Sequence, residues 1–407
     1  MKRKEQFVSD PDRHRFPGMK VFAGVGVEGC VSRADSNDAV DPYLRGAEAL
    51  NAAAFYALVE EDREVARIVA AEIVAQVNYQ DTRFGDRSRF CVGSGPSGDE
   101  GPIFGVADWL TSIVYARDYL SIYDDSLFSG AQAAEFNAWA KGFATWVNAR
   151  NDAKLDQMFE DRPGGDYTPN SVGNGISDFA RNGLWDDGPV PHTTAARYNN
   201  RNARAMRTVG IIGVLTGDQS LVNSAKKFWK EVIMFAYFPE GGLSDFLRWE
   251  ADDAGKGWKY ASEILSPMVM TADAIARSSG DTELFDLATT KGLNGTQGEH
   301  NRGGPKTLER AVEDTYRYVT GEYDYTAGGT RIRAGDRLHD VALAPANRYY
   351  QSEYIRDRYM RKSSVRAEPY PTEPLEGKFN VEGGDCGTLP GVLFMFGQME
   401  HIWPYSG

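Results

Sequence analysis

This chain contains few cysteines and few histidines, and it has no long apolar run. Its three cysteines, Cys30, Cys91 and Cys386, lie far apart and match neither a CxxC metal motif nor a disulfide framework. No run of the sequence approaches the roughly 18 apolar residues that a membrane-spanning helix needs. We therefore expect no metal site and no membrane span.

Net positive charge is also absent, since the formal charge at pH 7 is −13. This balance argues against a general binder of nucleic acid or of anionic membranes, although it leaves room for a local basic cleft. The chain lacks a Walker loop, a GxSxG elbow, an HExxH helix and a dinucleotide fingerprint, so we expect no cofactor.

Amphipathic helix patterns dominate what the sequence does contain. The stretches DPYLRGAEALNAAAFYALV and REVARIVAAEIVAQVNY carry apolar residues at three- and four-residue spacing, and similar stretches recur further along. Because the helices follow one another as antiparallel pairs without βαβ alternation, we predict a mainly α fold, an incomplete (α/α) toroid. We expect one domain over residues 1–407, with an extended segment at 1–40 and a small β insertion at 315–345, where Gly-rich turns favour a hairpin.

Three short stretches carry a family resemblance. The run YNNRNARAMRTVGIIGVLTGD opens a helix with asparagines and arginines, and EGGLSDFLRW and KYASEILSPMVMTA follow it at a distance. In order and spacing they resemble the alginate lyase superfamily, the (α/α)-toroid polysaccharide lyases, over about residues 100–275. In that family an NNH run opens a central helix, a turn ending in Lys or Arg follows, and the next helix carries paired tyrosines.

The resemblance implies β-elimination on an acidic, uronate-containing polysaccharide such as alginate or glucuronan, without a cofactor. Because such polymers are extracellular, it also implies a secreted, periplasmic or phage-borne protein. The basic start MKRKEQFVSDPDRHRFPG lacks the apolar core of a signal peptide, so we expect no signal peptide in this chain.

Two positions depart from the family pattern. Arg201 stands where the family has the histidine of its NNH run, and Glu263 stands where it has the second tyrosine. Arginine stays protonated and is a poor base, although it can clamp a carboxylate. Only Tyr260 therefore matches a family acid or base directly, and His192 is the candidate that would replace the missing imidazole.

A lyase of this class removes the C5 proton of a uronate, and its site must neutralise the neighbouring carboxylate. Nearby cations favour a tyrosine that exchanges protons, and the amino end of a helix favours an anion. The predicted catalytic residues are Tyr260, His192, Asn200 and Arg201. The predicted substrate-binding residues are Asn199, Arg248, Lys259, Glu263, Arg331, Tyr349 and Trp185.

Other interpretations of the same residues stay open. Asparagines at a helix start are favoured N-caps, and the arginines, the loop histidine and Tyr260 could serve solvation or packing alone. A glycoside hydrolase would need two carboxylates flanking the scissile bond, for which Asp245, Glu250, Asp252, Asp253 and Glu263 are candidates. A carbohydrate-binding toroid without activity is the third possibility, because Arg201 replaces the family histidine.

Overall fold

The protein is mainly helical in the part of the chain that the computed structural model describes, which confirms the predicted fold class at that level. The described residues are 2–15, 33–79, 100–160, 198–237, 256–290, 304–319, 322–323, 325–327, 330–332 and 343–355. Helices α1 to α5 span Lys2–Ser9, Arg33–Val59, Arg63–Val77, Glu100–Asp124 and Gly130–Glu160. Helices α6 to α11 span Asn200–Thr216, Gln219–Phe235, Lys256–Ser279, Glu283–Asp286, Leu308–Val319 and Leu343–Tyr350.

Two short antiparallel strand pairs accompany the helices. Strand β1, Ala288–Thr289, pairs with β2, Lys306–Thr307, and β3, Tyr325–Ala327, pairs with β4, Thr330–Ile332. The β3–β4 pair lies inside the predicted insertion and confirms a hairpin there. The first residues of that insertion are helical instead, because α10 continues to Val319 with buried residues at helical spacing, among them Val312 and Tyr316.

The expectation of an extended segment over residues 1–40 is wrong for its described parts. Helix α1 and a 3-10 turn at Pro11–His14 occupy the start, and α2 begins at Arg33. Two contacts hold the start of the chain against the rest of the protein. Phe7 lies in the hydrophobic core, and Trp109 Nε1 donates to the backbone oxygen of His14 at 2.9 Å. The Gly- and Asp-rich composition of this segment favours an extended chain. A few buried apolar side chains are nevertheless enough to pack a short helix against the core.

Local capping explains why α6 and α7 form a tight antiparallel pair. Gly217 ends α6 in the left-handed conformation, at φ 66°, which glycine adopts without steric cost. Asp218 then starts α7, because its side chain accepts from the backbone N–H groups of Ser220 at 3.1 Å and Leu221 at 3.4 Å. Two residues therefore suffice to reverse the chain.

Four of the helices, α2, α4, α6 and α8, lie side by side and run in the same direction. Along each neighbouring pair, a residue that lies further along one helix contacts a residue that lies further along the next. Between α2 and α4 the contacts that establish this are Phe55–Tyr119 and, just beyond the end of α2, Glu61–Tyr123. The others are Asp108–Arg204 and Thr111–Thr208 between α4 and α6, and Asn200–Glu263 and Gly210–Thr271 between α6 and α8. Helices α3, α5 and α7 follow the first three of them and pack against this parallel row.

The connections between these helices differ in length at the two ends of the row. Helices α2, α4 and α6 are each joined to the following helix by a short connection, residues 60–62, 125–129 and 217–218. The connections that return to the amino ends of α4, α6 and α8 are long, residues 78–99, 161–199 and 236–255. The amino ends of the parallel row are therefore where the long connections enter. Within the described residues, none of the helices combines the length and apolarity that crossing a membrane requires.

Candidate functional site

The three asparagines at the start of α6 have three different partners. Asn199 is the N-cap, and its side chain accepts from the backbone N–H of Asn202 at 2.9 Å. Asn202 is fully buried and joins α6 to α5, where it accepts from Arg150 at 2.9 Å and donates to Asn151 at 2.7 Å. Asn200 turns to α8, where its Nδ2 donates to the carboxylate of Glu263. The capping interpretation thus holds for Asn199, whose predicted role in substrate binding stays a prediction.

Behind Asn200 lies a set of buried charged side chains, which we call the central polar network. Arg204 bridges two carboxylates, with Nη1 at 2.6 Å from Asp108 Oδ2 and Nη2 at 3.2 Å from Glu263 Oε2. Arg207 Nη2 lies 3.0 Å from the other oxygen of Asp108. The members of the network are Asp108, Asn200, Arg204, Arg207 and Glu263, and each is 4% exposed or less.

Burial makes these ion pairs interdependent. Removing one partner of a buried pair leaves an uncompensated charge and typically costs about 3–5 kcal/mol. The two arginines match the two carboxylates in formal charge, so the network is balanced when no ligand is present. An anionic ligand would therefore have to be bound by dipoles, or by charges other than those of these two arginines and two carboxylates.

Some polar atoms of the network have no hydrogen-bond partner among the described residues. Among them are Oδ1 of Asn200 and the Nε and Nη1 atoms of Arg207. An unsatisfied buried donor or acceptor costs about 1–3 kcal/mol, so such atoms are expected where a fold retains polar groups for a purpose other than stability. The Asn200 oxygen stands at the amino end of the row.

Tyr260 and Lys259 lie on α8 close to this network. Position 260 is one helical turn before Glu263, displaced by about 4.5 Å along the axis toward the amino end of α8. The side chains of both residues lie outside the described part of the structure. Arg201 belongs to the first turn of α6 and is partly exposed, unlike its buried neighbours Asn200 and Asn202.

Tyr349 is not brought together with Asn200. Its ring stacks on Phe285 with ring centroids 3.9 Å apart, and the carboxylate of Asp273 acts on its hydroxyl. Burial, reinforced by the negative charge of Asp273, raises the pKa of Tyr349 to about 12. Asp273 follows Glu263 by ten residues on α8, which separates the two positions by about 15 Å along the helix. A substrate bound at the start of α6 would contact Tyr349 only if it were a polymer long enough to extend along α8.

The remaining predicted site residues fall outside the described side chains. Trp185 and His192 belong to the connection between α5 and α6, and Arg248 belongs to the connection between α7 and α8; all three lie outside the described residues. Arg331 is part of β4, where it pairs in register with Thr326, and only its backbone is described. Their predicted roles stay predictions.

Sequence reasoning missed Asp108, Arg204 and Arg207. A signal for them exists, because positions 200, 204 and 207 recur at helical spacing and form one polar stripe along the first half of α6. Asp108 likewise interrupts the apolar start of α4 in GPIFGVADWLTSIV. A charged residue on a face that must be buried predicts a buried partner on another helix.

Within the described residues no cluster of three or more histidine, cysteine or acidic side chains could hold a metal ion. The sequence matches no known protein-family model, and it matches no curated protein.

Proposed function

We propose that this protein is a polysaccharide lyase that cleaves an acidic, uronate-containing polymer such as alginate or glucuronan by β-elimination. The observation that carries the proposal is the hydrogen bond from Asn200 to Glu263. It joins the start of the YNNRN stretch to the helix of the KYASEILSP stretch, and these are two of the three elements on which the family resemblance rests.

Asn200 and the amino end of α6 would bind the uronate carboxylate. An amide nitrogen carries two hydrogens, and Glu263 requires only one of those of Asn200. The other hydrogen, with the partial positive charge of the helix start, can stabilise the enolate-like charge that develops when the C5 proton leaves. Asn199 and Arg201 flank Asn200 and would add to that stabilisation.

Tyr260 would act as the acid and base of the reaction. Its place one turn before Glu263 on α8 brings it to the amino end of the parallel row, where α6 also begins. Lys259 beside it in sequence, and Arg248 and His192 on the long connections that lead into α8 and α6, are the further candidates for carboxylate binding and proton transfer. Long connections at one end of a rigid helical scaffold are common places for binding residues.

The helix arrangement supports an incomplete (α/α) toroid as the scaffold of this site. Parallel helices that each lead into an outer helix by a short turn form the repeating unit of such a fold. Helices α10 and α11 both pack against α8 and would continue the row beyond it. In a toroid, the amino ends of the inner helices would then surround a shared opening, with Asn200 and Tyr260 at its wall.

A direct test is to incubate the protein with alginate, glucuronan, hyaluronan and pectate, and to follow the ultraviolet absorbance of unsaturated uronate products. The lyase proposal expects that absorbance to rise with at least one polymer. New reducing ends without that absorbance would favour a glycoside hydrolase, and binding without either product would favour a carbohydrate-binding protein without activity.

A further inference from the structure

We propose that Asp108, which lies on α4 far from the YNNRN stretch in sequence, positions the amide of Asn200 through Arg204 and Glu263. Asp108 would thus be a positioning residue of the candidate site. The effect on catalysis rests on the proposed function, whereas the chain of contacts can be tested without any substrate.

We call this chain of contacts from Asp108 to Asn200 the relay. Its first step is the bridge made by Arg204. One terminal nitrogen of its guanidinium lies 2.6 Å from Asp108 and the other lies 3.2 Å from Glu263. The guanidinium is planar and rigid, so that fixing one of its nitrogens fixes the direction of the other. Arg204 has no exposed surface, and water therefore cannot substitute for either contact easily.

The second step is the choice of orientation that Glu263 imposes on Asn200. Oε2 of Glu263 is ion-paired with Nη2 of Arg204 at 3.2 Å and accepts a hydrogen bond from Nδ2 of Asn200. If the Asn200 amide were flipped, its carbonyl oxygen would face the carboxylate and repel it, because neither group could donate. Glu263 thus determines that the N–H end of the amide faces α8 and that Oδ1 points elsewhere.

Asp108 is itself held in place from both sides. Its other carboxylate oxygen accepts from Arg207 at 3.0 Å, and the same nitrogen of Arg207 also lies 3.3 Å from Thr111 Oγ1 on α4. With both oxygens engaged and 1% exposure, the carboxylate of Asp108 has one orientation available. It is therefore the fixed point from which Arg204, Glu263 and Asn200 are oriented in turn.

The test uses two variants and one matched control. Asp108→Asn removes the charge with little change in shape, and Arg204→Lys keeps the charge but cannot bridge two carboxylates with a rigid fork. Asp314→Asn is the control, because Asp314 on α10 is also fully buried and lies 3.9 Å from both Arg310 and Arg317. Circular dichroism identifies which variants are folded, and Arg204→Lys carries the test if Asp108→Asn does not fold.

The first measurement is the NMR resonance of the Asn200 side-chain amide in the protein without polymer, identified by its loss in Asn200→Asp. We expect Asp108→Asn and Arg204→Lys to shift this resonance, and Asp314→Asn to leave it in place. An unmoved resonance in folded Asp108→Asn would overturn the relay, whether or not the protein proves to be a lyase.

The second measurement is turnover of whichever polymer the wild-type protein cleaves. Displacing a reacting group by about 1 Å can cost roughly 100-fold in rate. We expect a loss of that order in kcat for Asp108→Asn, with KM changed much less, and an unchanged kcat for Asp314→Asn. A shifted resonance with unchanged kcat would overturn the catalytic part of the proposal, while a wild-type protein inert toward every polymer would overturn the proposed function alone.

Discussion

Asn200 donates its side-chain N–H to Glu263, although 63 positions separate the two residues in sequence. This contact places the first turn of α6 against the turn of α8 that follows Tyr260. It also means that Glu263, which stands where the resemblance expects a second tyrosine, is a buried partner of the asparagine. The departure from the family pattern therefore lies inside the candidate site and bears on how that site is oriented.

Replacing Tyr260 by phenylalanine removes only the hydroxyl that the proposed mechanism uses to exchange protons. General acid–base catalysis contributes about 10²–10⁴-fold in rate, so we expect Tyr260→Phe to lose turnover by at least that order while polymer affinity stays close to that of the wild type. The measurements are product absorbance and polymer binding by calorimetry. Tyr56→Phe on α2 is the matched control, and near-normal turnover in Tyr260→Phe would rule out the acid–base role.

Asn200→Ala should slow turnover strongly because it removes a donor that stabilises the developing charge. Loss of one such donor typically costs roughly 10²–10³-fold in kcat, and loss of the buried hydrogen bond from Asn200 to Glu263 should also lower the free energy of unfolding by about 1–3 kcal/mol. Steady-state kinetics and urea denaturation measure the two effects separately. Asn223→Ala, at an exposed position of α7, is the control; equal kcat in both variants would return Asn200 to a structural role.

Gly210→Ala should destabilise the contact between α6 and α8. A Cβ atom at position 210 would lie 2.6 Å from Cγ2 of Thr271, closer than carbon atoms approach one another. Overpacking of this kind costs about 1–3 kcal/mol, which exceeds or matches the gain in helix propensity. Urea denaturation midpoints should show the loss, while Gly130→Ala, where a Cβ meets nothing within 4 Å, should not lose stability. A Gly210→Ala variant as stable as the wild type would mean that the two helices are further apart than described.

Lys306 should give the protein a pH-dependent stability near neutrality. Burial lowers its pKa to about 7, and its Nζ lies 2.5 Å from the backbone oxygen of Met234. An unfolded lysine titrates near 10.4, so between about pH 7 and pH 10 the unfolded chain binds more protons at this residue than the folded protein does. The contribution of Lys306 therefore becomes more favourable as pH rises through that window, by at most about 1.4 kcal/mol per pH unit.

The measurement for Lys306 is the difference in unfolding free energy between the wild type and Lys306→Met, followed from pH 7 to pH 10. We expect the wild type to gain stability relative to this variant as the pH rises. Lys227→Met, which changes an exposed lysine of α7, should show no comparable trend. A flat difference for Lys306→Met would contradict the lowered pKa.

Local features of this chain could be predicted from sequence, and contacts between distant helices could not. The run YNNRNARAMRTVGIIGVLTGD predicts the start of a helix, and the structure confirms this helix as Asn200–Thr216. Periodicity also places Arg204 on the same face as Asn200, but nothing in one sequence shows that Asp108, 96 positions earlier, is its partner. That pairing depends on how α4 docks against α6, which the side chains of the whole interface determine.

Tyr349 is a second residue whose contacts with a distant helix could not be predicted from the sequence. Its polar and aromatic character suggested a substrate subsite, and that character is real. The structure places the residue beside Asp273 and Phe285, about 15 Å along α8 from Glu263. The predicted role of Tyr349 in substrate binding stays a prediction, and only the packing of α11 reveals which end of α8 this residue joins.

The parallel row has a consequence for the order in which this chain folds. Neighbours in the row are separated by an outer helix and two connections, so contacts such as Asp108–Arg204 close long loops and are entropically expensive to form early. The α6–α7 pair needs only a two-residue turn and can form locally. We expect pulse-labelling hydrogen exchange to protect α6–α7 amides at the short turn before those of α4 that face Arg204, so that the charged interior is completed only when the helix pairs have already assembled.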